Sequence, residues 1–398
     1  MRNLALLGLL AAYSVARAQS GGSPEALRAS GERAFGLSAL LGMEDAKNQP
    51  APPPAGPPVG AAQQQSLIDF HTHSYCSDGI KSPEDMAKEA KAAGVLYWAL
   101  TDHDTTACLS RAQKAAAAEG IHFVPGIELS AEDDSVHVLG LGIDPGFSGW
   151  KAYVDRARTE RVSRSKAILA KLATLTDPAT SAPIQLDFKK DILISRINVE
   201  RAAEGKPPLT DVEAQSLSEK DALAMIRGQI TRPDIARALV DNKFVKNSRE
   251  AFDKYLGDDA PAGLPMDGIS YQDAVELIHK AGGKAFLAHP YTIFKFKKFP
   301  RKYGGTQYAD FNGLAKSIID SGIDGFETLR PGSEKFPEDA KTVDDAIQKS
   351  GSQQPMLMGI GSDYHGYTQE KGGIGPRAIG GIAVSQQQAQ GLLRGLNP

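Results

Sequence analysis

Histidine and carboxylate residues recur at the ends of apolar runs in this chain, and six of its eight histidines belong to the pattern. The first members are His71 and His73, with Asp78 shortly after them. Side chains at i and i+2 on a strand point to the same face, so one metal ion can contact both imidazoles. The candidate ligands further along the chain are His103, Glu128, His137, His289, Asp363 and His365. Such residues spread over many strands indicate a multinuclear hydrolytic site and not a structural zinc site.

The elements that must position these residues are short apolar runs that alternate with helical patterns from Leu67 onward. The runs predicted as strands are 66–73, 96–103, 122–129, 136–143, 284–289, 324–329 and 356–362. Their composition is typical of buried parallel strands. Ser82 and Pro83 suit the N-cap and first position of the first helix. Seven strands with helices between them predict an α/β fold, a parallel (β/α)7 barrel with one strand fewer than the usual eight.

Most of the candidate ligands lie at or just after the C-terminal ends of the predicted strands, where barrel enzymes build their active sites. His137 fits less well because it lies at the start of the fourth strand. A lone histidine is commonly an ordinary core or surface residue, as we expect of His122 and His279. For the others, that explanation would have to hold independently at every strand, so the pattern predicts a metal site.

The N-terminal part of the chain differs from the rest in composition. An apolar run from Leu4 to Ala16, followed by an Ala-Arg-Ala cleavage pattern, predicts a secretory signal peptide; the alternative is an unprocessed apolar N-terminus. The run is too short to span a membrane, so we expect an exported protein, periplasmic or secreted, with no membrane span after signal removal. The predicted domains are a signal peptide (1–18), a Pro/Gln-rich linker (19–66), a first barrel part (67–150), a helical insertion (151–268) and a second barrel part (269–398).

Net charge and cysteine content limit which binding partners and which cellular compartments are expected. The formal net charge of −3 gives no general attraction to nucleic acid or anionic membranes, so no stable nucleic-acid partner is expected. Cys76 and Cys108, the two cysteines of the chain, each follow a strand that carries candidate ligands. They either form a disulfide after export or remain free thiols near a metal site.

Seven short motifs, which occur in a consistent order, carry a resemblance to a known family. They are His-Thr-His-Ser-x-x-Ser-Asp-Gly, Thr-Asp-His-Asp, Pro-Gly-Ile-Glu, His-Val-Leu-Gly, Ala-Gly-Gly-x-Ala-x-x-Ala-His-Pro, Asp-Gly-Phe-Glu and Gly-Ser-Asp-Tyr-His-Gly. Together they resemble the PHP (polymerase and histidinol phosphatase) phosphoesterases over about residues 67–398. The branch of closest likeness contains the RNase AM exonucleases and the phosphatases of AMP or 3′,5′-bisphosphate nucleotides.

The resemblance implies a distorted seven-stranded barrel of the PHP type and a site for three divalent metal ions, commonly manganese, iron or zinc. Carried over position by position, it assigns the ligands as His71, His73, Asp78, His103, Glu128, His137, His289, Asp363 and His365. It therefore includes His137, whose position at the start of a strand counted against it.

Metal-activated water is the nucleophile that such a site provides, since bound water loses its proton near neutral pH. Glu128, Asp78 and His289 are the candidate catalytic residues. Glu128 is the expected bridging carboxylate, because one carboxylate can offer an oxygen to each of two ions. Asp102 and Asp104 either orient imidazoles or are solvated residues at a strand end.

The predicted insertion carries the candidate substrate-binding residues. Arg161 and Arg164 match an Arg-x-x-Arg pair of the family and suit phosphate oxygens, although a solvated charged face is the alternative. Arg232 is retained in a segment resembling the family's Gly-Arg-Pro-His-Ile-Ala. Asp234 replaces the histidine of that segment, and a carboxylate beside a phosphate cannot act as a cationic imidazole unless its pKa is raised.

These residues predict a metal-dependent phosphoesterase that acts on nucleotides or on the ends of short oligonucleotides. Two other functions stay open: a phosphatase for another exported substrate, such as a sugar phosphate or phosphotyrosine, and a metal-binding barrel without turnover. No aromatic platform for stacking successive bases is evident, which favours a phosphorylated small molecule over a long nucleic acid.

Overall fold

The computed structural model describes residues 67–132, 136–177, 180–367, 378–382, 384 and 386–396. The predicted signal peptide and linker, residues 1–66, lie outside this part of the chain. Within the described residues, no helix combines the length and the apolar character that a membrane crossing requires.

Seven strands of the described chain form one sheet in the order β1-β2-β3-β4-β5-β8-β9, and two more form a hairpin. The strands are β1 (Ile68–Asp69), β2 (Tyr97–Leu100), β3 (His122–Ala131), β4 (Val136–Leu141), β5 (Lys284–Leu287), β6 (Arg301–Tyr303), β7 (Thr306–Tyr308), β8 (Gly325–Leu329) and β9 (Leu357–Ile360). Backbone hydrogen bonds from Phe70 N to Ile360 O (3.0 Å) and from His73 N to Tyr364 O (2.7 Å) link the first strand to the last. The sheet is therefore the nearly closed, distorted barrel that was predicted.

The fourth strand departs from the parallel arrangement expected for the barrel. β4 runs antiparallel to both of its neighbours, β3 and β5. Only four residues separate the end of β3 at Ala131 from the start of β4 at Val136. A parallel connection needs a crossover of a dozen or more residues, whereas a short connection reverses the chain. The reversal brings the start of β4 to the rim where the parallel strands end.

Helices follow the strands and fill a long insertion between β4 and β5. The helices are α1 (Pro83–Ala92), α2 (Leu109–Glu119), α3 (Gly149–Leu172), α4 (Ser195–Ala203), α5 (Asp211–Ser216), α6 (Glu219–Met225), α7 (Arg232–Asp241), α8 (Ser248–Ala251), α9 (Tyr271–Lys280), α10 (Tyr291–Phe296), α11 (Phe311–Asp320), α12 (Pro337–Ser350) and α13 (Gln386–Leu396). Ser82 caps α1 as predicted, since its side chain accepts a hydrogen bond from Asp85 N.

Three apolar clusters hold these elements together. Alternate residues of β5 belong to two of them: Ala285 and Leu287 pack in one cluster and Phe286 in the other. This alternation is expected of a strand whose two faces are both buried. The third cluster lies within the insertion and includes Ile168 and Leu239. The helices between β4 and β5 therefore bury a core of their own, as a helical insertion requires.

Candidate functional site

A fully buried carboxylate, that of Glu128 on β3, lies at the centre of the site. Its Oε2 atom is 3.2 Å from His71 Nε2 and 3.2 Å from His73 Nε2, both of which follow β1. The same atom is 3.1 Å from His103 Nδ1. A single carboxylate oxygen thus faces three imidazole nitrogens that follow two different strands.

The second oxygen of Glu128 faces two further histidines. Glu128 Oε1 is 3.2 Å from His137 Nδ1 and 3.0 Å from His289 Nε2. His289 follows β5, whereas His137 is the second residue of β4 and pairs with Ser130 of β3. His137 reaches the same rim as the others because β4 runs antiparallel. Its position near the start of a strand, which counted against it, is the position that this topology requires.

Two more carboxylates, those of Asp78 and Asp363, belong to the cluster. Asp78 Oδ2 is 3.2 Å from His365 Nε2 and 3.7 Å from His103 Nε2. Asp363 Oδ1 is 3.3 Å from His73 Nε2. All nine residues predicted as metal ligands therefore lie in one continuous cluster.

The spacing of these donor atoms fits divalent metal ions. His71 Nε2 and His73 Nε2 are 3.0 Å apart, and two nitrogens that each lie about 2.1 Å from one ion are separated by about 3 Å. Among the described residues, the buried atoms Glu128 Oε2 and His103 Nδ1 have no hydrogen-bond partner, although they lie close to each other. Three overlapping groups each place their donor atoms within 4.8 Å of one another: His73, Asp78, His103 and His365; His71, His73 and Glu128; and His103, Glu128 and His137.

Charge pairing dominates the protonation of the metal-free site. Burial lowers the pKa of His73, but hydrogen bonds to Asp363 and Glu128 outweigh it and raise the pKa to about 10. Burial raises the pKa of Glu128, but the charges of His103 and His71 hold it well below the usual range of a glutamate. His103 differs from His73, because burial prevails and lowers its pKa to about 4. Ionised carboxylates thus keep protons on some of the neighbouring imidazoles.

Three residues of the site adopt left-handed backbone conformations that are uncommon for residues other than glycine. The φ angles are 29° at His289, 57° at Asp363 and 51° at Asp104. Such conformations cost free energy and persist where the surrounding structure enforces them, which is common at functional sites. The backbone therefore supports the view that this rim is specialised for a function.

Glu327 is a residue of the site that the ligand pattern missed. It lies on β8, where its Oε1 atom is 3.0 Å from His71 Nδ1. Its Oε2 atom accepts a hydrogen bond of 2.7 Å from the backbone N–H of His289. An N–H donated from Nδ1 to a carboxylate leaves the Nε2 lone pair of His71 directed at the cluster. The signal for this role was present in the sequence, since Glu327 ends the Asp-Gly-Phe-Glu motif within a predicted strand.

The two aspartates beside His103 support the site in ways that the sequence did not distinguish. Asp102 accepts hydrogen bonds from Ser74 and from Ser77, and the hydroxyl of Ser77 lies 3.3 Å from His73 Nδ1. Asp104 instead pairs with Arg161 through its Oδ2 atom. Both carboxylates are buried, so the alternative of solvated strand-end residues is wrong.

The four candidate substrate-binding residues occupy different surroundings. Arg161 lines a cavity beside the metal cluster, and its guanidinium pairs with Asp104. Arg232 lines the same cavity and donates a hydrogen bond of 2.8 Å to Asp258 Oδ1. Arg164 donates to the backbone oxygen of Leu264 and is not among the lining residues that the structure describes.

Asp234 is likewise not among the described lining residues, contrary to the expectation that it replaces a phosphate-binding histidine. It lies in the first turn of α7, where its Oδ2 atom accepts a hydrogen bond of 2.8 Å from Thr231 N. Its Oδ1 atom is 3.0 Å from Arg237 Nη1, and the side chain is fully buried. A carboxylate suits this position because it caps the free N–H groups of a helix start. The assignment of Asp234 to substrate binding is therefore corrected to a helix-capping role.

The cavity has a volume of about 370 Å³, a size typical of small-molecule sites. Six of the nine candidate ligands line it: Asp78, His103, His137, His289, Asp363 and His365. The other walls include residues of the insertion. The metal cluster therefore opens directly into a space that can hold a substrate.

A disulfide joins two of the segments that carry candidate ligands. Cys76, two residues before Asp78, is bonded to Cys108, five residues after His103. Because these are the only cysteines of the sequence, the alternative of free thiols is wrong.

Comparisons with known proteins agree with this geometry. A family model described as the PHP domain matches residues 69–256. The chain belongs to the PHP domain family. As PHP proteins are, this chain is a metal-dependent phosphoesterase, and the resemblance stated from the motifs is confirmed.

Two relatives and one solved structure are similar to more than half of this PHP chain. A 5′-3′ exoribonuclease of Haemophilus influenzae is 28% identical over 299 residues, which cover 75% of this chain and 89% of that protein. A 3′,5′-nucleoside bisphosphate phosphatase of Chromobacterium violaceum is 32% identical over 225 residues, which cover 56% of this chain and 66% of that protein. A crystal structure from Bifidobacterium adolescentis, described as a metal-dependent phosphoesterase, has a TM-score of 0.57 at 22% identity and covers 82% of this chain and 95% of its own. The last comparison concerns the fold alone.

Proposed function

We propose that this protein hydrolyses phosphate esters of nucleotides, either AMP or 3′,5′-bisphosphate nucleotides, or the terminal phosphate ester of short oligonucleotides. The observation that carries the proposal is the opening of the Glu128 cluster into a cavity of about 370 Å³ that also has Arg161 and Arg232 in its walls. A cavity of that size suits one nucleotide better than a nucleic-acid duplex. The two relatives, which act on RNA or on a nucleoside bisphosphate, support the same substrate class.

Three divalent ions, manganese, iron or zinc, are the proposed cofactors. The nine clustered residues would hold them, and the two oxygens of Glu128 face different histidines of the cluster. Bound there, such ions supply an activated water as the nucleophile and neutralise the non-bridging phosphate oxygens. The proposed catalytic residues remain Glu128, Asp78 and His289. Asp78 and His289 line the cavity, and Glu128 lies at the centre of the cluster.

The protein's own groups orient the phosphate ester. Arg161 is held by Asp104, so its guanidinium needs no rearrangement when an anion approaches the rim. Arg232, which also lines the cavity, is held in the same way by Asp258. Fixed guanidinium groups favour phosphate oxygens through charge and through planar donor geometry. Arg164 and Asp234 have no part in this proposal.

Export is the proposed localisation, either to the periplasm or to the medium. The apolar N-terminal run supports it, and so does the disulfide between Cys76 and Cys108, because disulfides persist in oxidising compartments. An enzyme in that position would hydrolyse extracellular nucleotides. The net charge of −3 accords with a small substrate and with no stable nucleic-acid partner.

Of the other functions considered, the barrel without turnover loses its main support. That hypothesis depended on Asp234 as a defect in phosphate binding, and Asp234 caps a helix instead. A phosphatase for a sugar phosphate or phosphotyrosine remains the competing proposal, because the metal cluster would serve it equally.

Purified protein with measured metal content tests the proposal against a panel of substrates. The panel consists of AMP, a 3′,5′-bisphosphate nucleotide, a sugar phosphate, phosphotyrosine and a short 5′-phosphorylated RNA. We expect a nucleotide or the RNA end to have the highest kcat/KM. Phosphate release should fall at least 100-fold in His289→Ala, since one contact of Glu128 and a cavity wall are lost.

His279→Ala is the matched control, because His279 is an exposed histidine at a distance from the cluster, paired with Asp324. It should keep wild-type turnover. A metal-replete protein that hydrolyses the sugar phosphate or phosphotyrosine best, or none of the panel, would contradict the proposal.

A further inference from the structure

Two phenylalanines that are distant in the sequence line the substrate cavity together. Phe252 follows α8 in the insertion, and Phe296 is the last residue of α10 beyond β5. Phe252 lies under the guanidinium of Arg232, and Phe296 precedes Lys297, which shares Asp258 with Arg232. We call this part of the lining the aromatic end of the cavity, and the part formed by the six candidate ligands the metal-facing end.

Phe296 is unusually exposed for a phenylalanine. Its exposed fraction is 70%, so most of an apolar ring faces solvent at a cavity wall. Burial of such a ring against another flat group is favourable because it removes apolar surface from water. The ring therefore offers a surface that a bound planar group would cover.

Phe252 presents a ring that is held in place. The guanidinium of Arg232 lies over it, 5.7 Å from the ring centroid. Arg232 in turn donates to Asp258, to which Lys297 is also paired. These ion pairs hold Arg232 against the Phe252 ring, so the position of the ring beside the cavity is fixed. A planar aromatic group suits such an apolar ring surface.

The length of α10 leaves room for one sugar between a phosphate and a base. α10 follows His289 and ends at Phe296, and it has six residues. At a rise of about 1.5 Å per residue, such a helix spans about 9 Å. A ribose can therefore lie between a phosphate at the metal-facing end and a base at the aromatic end.

We propose that Phe252 and Phe296 form a nucleobase-binding subsite of this cavity, which takes a single base by stacking. The inference rests on the proposed nucleotide specificity and names the group of the substrate that provides it. A sugar phosphate would leave Phe296 in water, so the subsite would favour nucleotides over sugar phosphates.

Binding of adenosine, a nucleoside without phosphate, tests the subsite independently of metals and turnover. We expect measurable adenosine binding by titration calorimetry to the wild-type protein and about ten-fold weaker binding to Phe296→Ala, in line with the usual contribution of one base stack. Phe296→Tyr keeps a ring and should keep the affinity. Phe252→Ala should weaken adenosine in the same direction.

Phe336→Ala is the matched control, since Phe336 is an exposed phenylalanine that is not among the described lining residues. It should bind adenosine as the wild type does, and the affinity for ribose 5-phosphate should be the same in all variants. The proposal is overturned if the wild type does not bind adenosine, if Phe296→Ala binds it equally, or if ribose 5-phosphate weakens in parallel. Loss of adenosine binding in Phe296→Ala without hydrolysis of any nucleotide would contradict the proposed function and leave the subsite intact.

Discussion

At the scale of single residues, three carboxylates organise the site. Five histidines contact Glu128, and the sixth, His365, contacts Asp78. Asp363 adds a third acidic group beside His73. Buried charges are stable only when they are paired or bind metal, and the short distances between imidazole nitrogens favour metal. The residue types therefore serve ion binding better than structural ion pairing.

Glu327 provides a prediction at this scale. Glu327→Gln keeps the size of the side chain but replaces one acceptor oxygen by an NH₂ donor, so the contact with His71 or with His289 N is lost. We expect metal affinity to fall about 10- to 100-fold, and activity to recover partly in excess metal. Metal titration at equilibrium, followed by kcat and KM at saturating metal, would measure both effects.

Glu338→Gln, the same substitution at an exposed position of α12, is the control and should change neither quantity. Wild-type metal affinity in Glu327→Gln would show that the carboxylate does not position the two histidines.

At the scale of elements, the connection between β3 and β4 decides the geometry of the rim. The reversal of β4 places His137 next to Ser130 and brings its ring to Glu128. The same reversal makes the start of β4, and not its end, contribute to the site. A parallel β4 would have carried His137 to the opposite end of the barrel.

The disulfide gives a prediction for these elements. It closes a loop with a sequence separation of 32, which includes Asp78, α1, β2 and His103. Cys76→Ser combined with Cys108→Ser should lower the free energy of unfolding by about 3 to 4 kcal/mol, because the unfolded chain gains conformational entropy. Denaturant unfolding of the metal-free protein would measure this change.

Wild-type protein unfolded with a reducing agent present provides the control and should match the double variant. Equal stability of the oxidised wild type and the double variant would mean that the disulfide does not hold the two segments together.

At the scale of the whole molecule, the metals should join strands that are far apart in the sequence. The ligands follow or lie on β1, β2, β3, β4, β5 and β9. Ions bound only by the folded state stabilise it, by about 2.7 kcal/mol at a concentration 100 times the Kd. Removal of metal by a chelator should therefore lower the melting temperature.

The decrease in melting temperature on metal removal should be larger at higher pH. The folded metal-free protein has a raised pKa of about 10 at His73, so it gains stability from this proton below pH 6.5 and loses that gain as the pH rises toward 10. The same proton competes with metal, so its removal also strengthens binding. Melting curves with and without chelator at pH 6.5 and pH 8.5 should show the larger difference at pH 8.5. An equal or smaller difference at pH 8.5 would contradict the coupling.

Much of the fold and of the candidate cluster could be predicted from the sequence. Strand runs and the cap at Ser82 are local features, because hydrophobic periodicity and free N–H groups depend on neighbouring residues. The candidate ligands could also be identified from short motifs at strand ends. Parallel strands end at one rim of the barrel, so residues that follow them are expected to lie close together. Their roles in binding metal stay predictions for the experiments above.

The tertiary structure decided the direction of β4, the capping role of Asp234 and the presence of Phe252 and Phe296 in one cavity lining. Each depends on which distant segments pack together, which no local pattern contains. An arginine or aspartate in a helix suits substrate or a protein partner equally well until its neighbours are placed, as Arg164 and Asp234 illustrate. The sequence by itself therefore determined the family, the barrel and the chemistry of the metal-facing end. Long-range packing decided the shape and the aromatic end of the cavity, because side chains from separate elements converge only in the folded chain.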